Sequence, residues 1–436
     1  MNFLIKAAIA LCILTCGLRG VIPAQTAIVG EQFPAWQPGY LDIHHINTGR
    51  GNAAFFIFPD ATTMLVDAGE LSPLDERTFT PRNATIKPDS SKKPFEWIAY
   101  YINKIHPRVK NKIDYALITH YHDDHFGAWY NDAPLSANGK YYLTGITGVG
   151  DIFKIGKLVD RGFPNYNYPY DLDKLSAKHG GGEIEFEKTM RNYFSFLKEK
   201  QKSGKKPEAL IAGSKKQLVL LNEPLKYPSF YVQNIKSAQW IWTGKDTVTI
   251  NQFPAYDPSD KNTWPDENSL SLAIAVHYGP FTYYTGGDNP GMIFPGDNPL
   301  RNTEIKIAEA IGQVDVATMD HHGNRDAINE FMIKTLRPRV WIGQTWSADH
   351  PGHEVLLRLT NKYIYDQPGD LFCTNMLDAN RYVIGPLIDR AYKSQQGHII
   401  VRVLPGGKQY YVIVLDDTNP SLKIKSLFGP YYSKIR

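Results

Sequence analysis

The stretch that decides the fold is His120-Tyr121-His122-Asp123-Asp124-His125. It follows the apolar residues 115–119 and precedes Phe126-Gly127, which predicts a buried strand ending in a turn that opens a short helix. Three imidazoles and neighbouring carboxylates at a strand end form a mixed nitrogen and oxygen ligand set, which suits Zn²⁺ or another divalent first-row ion. A polar loop with chance histidines is disfavoured, because ionisable groups this dense beside a buried strand need solvent or a metal.

The spacing His-x-His-x-Asp-His resembles the hallmark of the metallo-β-lactamase fold superfamily. The resemblance implies an α/β fold, the four-layer αββα sandwich of two mixed β-sheets flanked by helices. It also implies that His120 and His122 bind one metal ion, while Asp124 and His125 bind a second. Asp123 fills a variable position and receives no role.

Four further blocks, in the expected order, resemble the branch that includes the soluble metallo-β-lactamase domain of DNA-uptake competence proteins. They comprise residues 41–53 with 64–69, residues 268–288, residues 314–323 with 337–343, and residues 349–359. The branch's Asp-Val-Gly-Gln-Gly-Asp is here Asn47-Thr48-Gly49-Arg50-Gly51-Asn52, so both acidic positions have become asparagine.

The resemblance makes Asp288, at the end of a predicted hairpin, the carboxylate that bridges two metal ions. Which of His321 and His322, and which of His350 and His353, faces the metal is left open by the sequence. The expected metal ligands are His120, His122, Asp124, His125, Asp288, His321 and His350. The expected catalytic residues are Asp124 and Asp288, which orient the attacking water, and His322, which protonates the leaving group.

The remaining histidines are expected to be structural or exposed. At about 3.3 Å per strand residue, His277 at the hairpin turn lies roughly 25 Å from the metal end. His179 lies in a glycine-rich loop. The other members of this group are His44, His45, His106 and His398.

Residues 1–24 are predicted to form a secretory signal peptide, because Lys6 precedes an apolar run that is too short to span a membrane. Cleavage after Ala24 is expected, with Ala27 as the alternative. The mature chain would then keep only Cys373, so no intramolecular disulfide is expected. The prediction is a periplasmic or secreted protein with no membrane span after cleavage.

Residues 25–436 are expected to form one elaborated domain. The segment 131–207 matches nothing in the family pattern and is predicted to be an insertion, either a lid that contacts substrate or a packing element at the sheet edge. The formal net charge of the 436 residues is +4, and losing Lys6 and Arg19 would leave +2. This small positive net charge does not indicate a nucleic-acid-binding protein.

These features predict an exported metal-dependent hydrolase whose cofactor is Zn²⁺, with two ions expected and Mn²⁺ as the alternative. Such ions lower the pKa of a bound water, which would attack a phosphodiester or related ester bond in a small-molecule or oligomeric substrate. The alternatives are a lactonase or other carboxyl-ester hydrolase, and a non-catalytic metal-dependent binding protein. The oligomeric state is not predicted.

Overall fold

The computed structural model describes residues 27–108, 111–175, 183–202 and 204–434. The predicted signal peptide, residues 1–24, and His179 lie outside the described residues.

The first of two mixed sheets has nine strands in the order β18-β17-β16-β1-β2-β3-β4-β5-β6. Its strands are β1 (Leu41–His45), β2 (Ala54–Ile57), β3 (Thr63–Val66), β4 (Lys112–Leu117), β5 (Lys154–Asp160), β6 (Glu208–Ala209), β16 (His398–Val403), β17 (Gln409–Leu415) and β18 (Ile424–Tyr432). Pairing is parallel from β3 to β6 and antiparallel elsewhere.

The second sheet also has nine strands, in the order β15-β14-β13-β12-β11-β10-β7-β8-β9. Its strands are β7 (Phe230–Ser237), β8 (Trp240–Trp242), β9 (Thr249–Asn251), β10 (Ala273–Tyr278), β11 (Phe281–Thr285), β12 (Val316–Thr318), β13 (Val340–Gly343), β14 (Asp370–Cys373) and β15 (Tyr392–Ser394). Pairing is parallel from β11 to β15 and antiparallel elsewhere.

Helices cover the outer face of each sheet. The α-helices are α1 (Pro94–Ile105), α2 (Asp123–Phe126), α3 (Gly145–Ile152), α4 (Phe186–Gln201), α5 (Glu304–Ile311), α6 (Glu330–Leu336), α7 (His353–Thr360), α8 (Asp378–Ile384) and α9 (Leu387–Ala391). Short 3₁₀ helices span Glu76–Phe79, Pro224–Lys226, Lys261–Thr263, Asn268–Leu270, Pro299–Arg301 and Asp320–Gly323. Among the described residues, none of the helices combines the length and the apolar character that crossing a membrane requires.

The three largest buried apolar clusters among the described residues fill the spaces between four layers. Successive strand residues point to opposite faces, so Phe55 packs with α1, α3 and α4 while Phe56 packs between the sheets. On the other sheet, Ile274 faces the first sheet and Ala275 packs beneath α5, α6 and α7. The expected α/β class with an αββα arrangement of two mixed sheets is confirmed.

Because both faces of the first sheet are covered, β1, β2 and β3 are buried throughout, and β1 is buried although it contains Asp42, His44 and His45. The expected strand before the histidine motif is β4, and the expected short helix is α2, which begins inside the motif at Asp123. The expected hairpin before Asp288 also forms, by β10 with β11, and β16 pairs with β17 in a second hairpin.

The segment 131–207 is built into the first sheet and its helical layer. It supplies β5, which pairs parallel with β4, and the packed helices α3 and α4. Glu183 and Ile184, which precede α4, line the cleft described below. The described part of this segment therefore packs against the sheet and also reaches the cleft.

The described histidines that were expected to be structural or exposed have partners away from the histidine motif. His44 Nδ1 lies 3.0 Å from the Tyr101 hydroxyl, and His45 Nε2 lies 2.9 Å from the Tyr283 hydroxyl. His398 accepts from the Asn47 amide, and His106 bonds the Lys112 carbonyl. His277 Nδ1 pairs with the Thr282 hydroxyl near the hairpin turn, at the end of β10 and β11 opposite Asp288. Cys373 is a free, buried thiol.

Candidate metal centre

The candidate metal ligands lie at the carboxyl ends of strands from both sheets. His120 and His122 lie in the turn after β4, and Asp124 and His125 lie in α2. Asp288 follows β11, and the 3₁₀ turn Asp320–Gly323 follows β12. Because β11 and β12 are parallel neighbours, their carboxyl ends lie side by side and face the motif across the sandwich.

Two adjacent residues of the Asp320–Gly323 turn have left-handed backbone conformations. His321 has φ 45° and His322 has φ 57°. This region disfavours residues other than glycine, and non-glycine residues held there concentrate at functional sites. The Nε2 atoms of His321 and His322 lie 3.8 and 3.4 Å from Asp288 Oδ2.

The first ligand group consists of Asp124, His125, Asp288 and His322, whose ligand atoms lie within 4.8 Å of one another. His322 Nε2 is 2.8 Å from Asp124 Oδ2 and 3.4 Å from Asp288 Oδ2. His125 Nε2 is 3.0 Å from Asp288 Oδ1. All four residues are buried.

The second ligand group consists of His120, His122 and Asp288, again with ligand atoms within 4.8 Å of one another. His120 Nε2 lies 3.8 Å from Asp288 Oδ2. Asp288 belongs to both groups and is the carboxylate that they share.

The donor set fits a divalent metal ion. Ring nitrogens face each other in two pairs, His120 Nε2 with His122 Nδ1 at 3.1 Å and His125 Nε2 with His322 Nε2 at 3.4 Å. Nitrogen lone pairs that converge beside carboxylates are satisfied together by a cation, and this combination is typical of zinc and related ions. A buried cluster of His and Asp residues that could hold a metal is therefore present, as expected.

The electrostatics of the cluster also favour a cation. Burial opposes the charged form of His322, but Asp288 and Asp124 raise its pKa to about 10. Burial likewise opposes ionisation of Asp288, yet His125, His322 and His321 hold its pKa well below the usual range. The two carboxylates thus remain ionised in a buried site and attract positive charge.

Hydrogen bonds from neighbouring groups orient the ligand imidazoles. His125 Nδ1 lies 2.8 Å from Asp67 Oδ2, and His322 Nδ1 lies 2.9 Å from the Gln344 carbonyl oxygen. His120 Nδ1 is 3.2 Å from the Thr119 hydroxyl, which itself donates to Asp67. Partners of this kind fix the tautomer, leaving the opposite nitrogen of each ring free to bind a metal.

A buried ion pair holds the backbone between the first two histidines. The Tyr121 amide donates to Glu267 Oε1 at 2.9 Å. Arg161 donates to both oxygens of Glu267, at 2.7 and 2.5 Å, and its guanidinium lies 4.4 Å from the centre of the Tyr121 ring. Sequence analysis identified neither residue, because Arg161 and Glu267 belong to no common motif and meet only through the fold.

Five of the seven expected metal ligands lie in the two groups, and His322 joins them. His321 and His350 do not. His321 Nε2 is 3.8 Å from Asp288 Oδ2, while its Nδ1 is 2.6 Å from Asp326 Oδ1. The sequence leaves the choice between His321 and His322 open, and in the structure His322 is the one whose ring nitrogen lies in the first ligand group.

His350, and not His353, faces the centre. The His350 ring stacks on His322 with centroids 4.5 Å apart, and its Nδ1 lies 3.3 Å from the Ser347 amide. His353 is exposed in the first turn of α7.

The two groups open into a cleft of about 200 Å³. Its wall includes Trp346, whose indole nitrogen donates to Asp124 Oδ2 at 3.1 Å. Arg77 and Arg82 also line the cleft, and each is paired with a carboxylate, of Asp75 and Asp349 respectively. Burial and the charge of Asp124 raise the pKa of Glu183, which also lines the cleft, to about 8.

No protein-family model matches this chain, and no curated protein matches it. The family resemblance in the sequence therefore stays a prediction.

We expect Asp67→Asn to weaken metal binding by about 10- to 100-fold, because Asp67 fixes the ring of His125. The measurement is the dissociation constant for Zn²⁺ in competition with a chromophoric chelator. Asp60→Asn is the matched control, since Asp60 is equally buried but accepts only from the backbone of Thr62, Asn222 and Glu223. Equal metal affinity in the two variants would contradict the role of Asp67.

Proposed function

We propose that this protein is a metal-dependent hydrolase that cleaves a phosphodiester or related ester bond. The observation that carries the proposal is the shared carboxylate of Asp288, which belongs to both histidine-rich groups beneath an open cleft. One carboxylate common to two ligand groups supports a centre for two ions rather than one. The nitrogen-rich donor set favours Zn²⁺ over Mn²⁺.

Metal ions bound there would supply Lewis acidity, which activates water and polarises the ester oxygen. In the protein itself, Asp288 and Asp124 would accept hydrogen bonds from the attacking water and orient it. The indole of Trp346 donates to Asp124 Oδ2, which restrains that carboxylate. Trp346 also packs edge-on against His322 and His350, which closes one side of the centre.

We assign proton delivery to His321 and metal binding to His322. Both ring nitrogens of His322 are engaged, one with the Gln344 carbonyl and one with the carboxylates of the cluster. His321 has Nδ1 anchored on Asp326, while Nε2 lies 3.3 Å from the Asn268 amide group at the cleft. An imidazole held at one nitrogen and directed to a cleft at the other suits protonation of a leaving group.

The cleft wall supports an anionic substrate. Arg77 and Arg82 line it, and their side chains are 62% and 50% exposed despite their pairing with carboxylates. A phosphodiester could exchange for one of these carboxylates, because the guanidinium fork matches phosphate oxygens. We further propose export to the periplasm or medium, which rests on the sequence of residues 1–24.

The proposal is tested with the metal-loaded protein and a panel of phosphodiester, phosphomonoester, lactone and β-lactam substrates. We expect turnover of phosphodiesters. Turnover of lactones alone would show that the substrate is a lactone and not a phosphodiester. Metal binding without turnover of any substrate would favour a non-catalytic binding protein.

Asp288→Asn should lower kcat/KM by about 10²- to 10⁴-fold, because an amide neither balances the charge of two ions nor orients water as a carboxylate does. The measurement is kcat/KM on the best substrate of the panel, with metal content determined on the same sample. Asp60→Asn again serves as the buried control. Near wild-type turnover by Asp288→Asn would rule out the shared carboxylate as part of the reaction centre.

His350→Ala and His353→Ala should differ strongly. The first removes a buried ring stacked on His322 and should lower kcat/KM by about 100-fold or more. The second removes an exposed side chain and should cost less than about tenfold. A larger loss of kcat/KM in His353→Ala than in His350→Ala, with equal metal content in both variants, would contradict the placement of His350 at the centre.

A further inference from the structure

Three arginines are buried among the described residues, and one of them lacks a carboxylate. Arg161, Arg402 and Arg50 are between 5% and 6% exposed. Arg161 makes a bidentate pair with Glu267, and Arg402 makes one with Asp42 at 2.9 and 2.6 Å. Arg50 forms no ion pair with any described residue.

The only described side-chain hydrogen bond of Arg50 joins its Nη1 to the Thr78 carbonyl oxygen at 2.5 Å. Its guanidinium carbon lies 5.3 Å from the centre of the Phe79 ring. Burial lowers the pKa of Arg50 to about 10, and no carboxylate offsets that effect. A buried charge without a counter-charge is costly, and this chain avoids that cost at its other two buried arginines.

Arg50 lines a cavity of about 420 Å³. Phe79, Tyr130, Pro73 and Leu74 provide apolar wall, and Lys93 adds a second positive charge. Three acidic residues, Glu70, Glu96 and Asp132, also line the cavity, and none of them forms an ion pair with Arg50. Glu70 Oε2 accepts from the Gly145 and Phe95 amides at 3.0 and 3.4 Å, and Glu96 Oε2 accepts from the Lys93 amide at 2.8 Å. The volume is within the range of small-ligand sites.

The cavity adjoins the metal cleft without being part of it. Leu71 and Thr78 line both spaces, so a loop of the chain separates them. None of the clustered His and Asp residues lines the Arg50 cavity.

We propose that this cavity binds an oxyanion, a phosphate ester or a carboxylate, carried on an aromatic or apolar group. Arg50 supplies the counter-charge through its free nitrogens, since a guanidinium matches two oxygens of either group. The aromatic and apolar wall takes the rest of the ligand. The site does not rest on the proposed function, because it needs no metal ion.

The experiment measures binding of phenyl phosphate, benzoate and inorganic phosphate by titration calorimetry to the full chain. We expect one site that prefers phenyl phosphate or benzoate at least tenfold over inorganic phosphate. Whichever of the two organic probes binds more tightly identifies the oxyanion. The same titration on a His120→Ala/His122→Ala variant should give the same affinity, which separates this site from the metal centre.

Arg50→Met should reduce that affinity at least tenfold, because it keeps the apolar stem and removes the charge. Arg50→Lys keeps the charge but not the fork and should bind more weakly than wild type, which tests the site even if the methionine variant does not fold. Arg390→Met, at an exposed arginine, should bind as wild type does. Failure of both organic probes to bind wild type, or full binding by the Arg50 variants, would overturn the proposal. So would loss of binding in the double histidine variant or equal affinity for inorganic phosphate.

Discussion

The centre depends on the burial of one carboxylate, Asp288, among four imidazoles where the two sheets meet. A buried carboxylate stays ionised only if positive charge surrounds it. The parallel register of β11 and β12 places Asp288 beside His322, and the end of β4 brings His120 and His125 from the opposite sheet. The sandwich is therefore joined at this end by charge as well as by its apolar core.

A single loop, residues 266–271, connects the supports of the centre. Glu267 holds the Tyr121 amide, Asn268 contacts His321, and the Ser271 hydroxyl accepts from the Asp288 amide at 3.1 Å. The loop is itself anchored by Lys236, a buried lysine whose Nζ donates to the carbonyls of Ser269 and Ser271 at 2.7 and 2.8 Å. Rigid support of this kind keeps the ligands in place before a metal binds.

The resemblance of the histidine motif and the later blocks to a known family predicted the fold class and most of the cluster, and local signals in the sequence predicted the elements that carry them. The motif follows a strand whose apolar character is visible in a few residues, and Asp288 follows a hairpin marked by alternation and by Gly279-Pro280. The order of His321 and His322 was not predictable, because it depends on left-handed backbone conformations at two residues that are not glycine. The pairing of Arg161 with Glu267 was not predictable either, since it joins distant parts of the chain. The burial of Arg50 without an ion pair was not predictable from the sequence, because it depends on where the folded chain places the nearby carboxylates.

The central claim is that the shared carboxylate of Asp288 holds two metal ions. The most direct measurement is a crystal structure of the zinc-loaded protein with anomalous diffraction recorded on both sides of the zinc edge. The account predicts two zinc peaks roughly 3.5–4 Å apart, one beside His120 and His122 and one beside His125 and His322, with Asp288 contacting both. Absence of zinc from both groups at full loading, or a single peak that Asp288 does not contact, would contradict it.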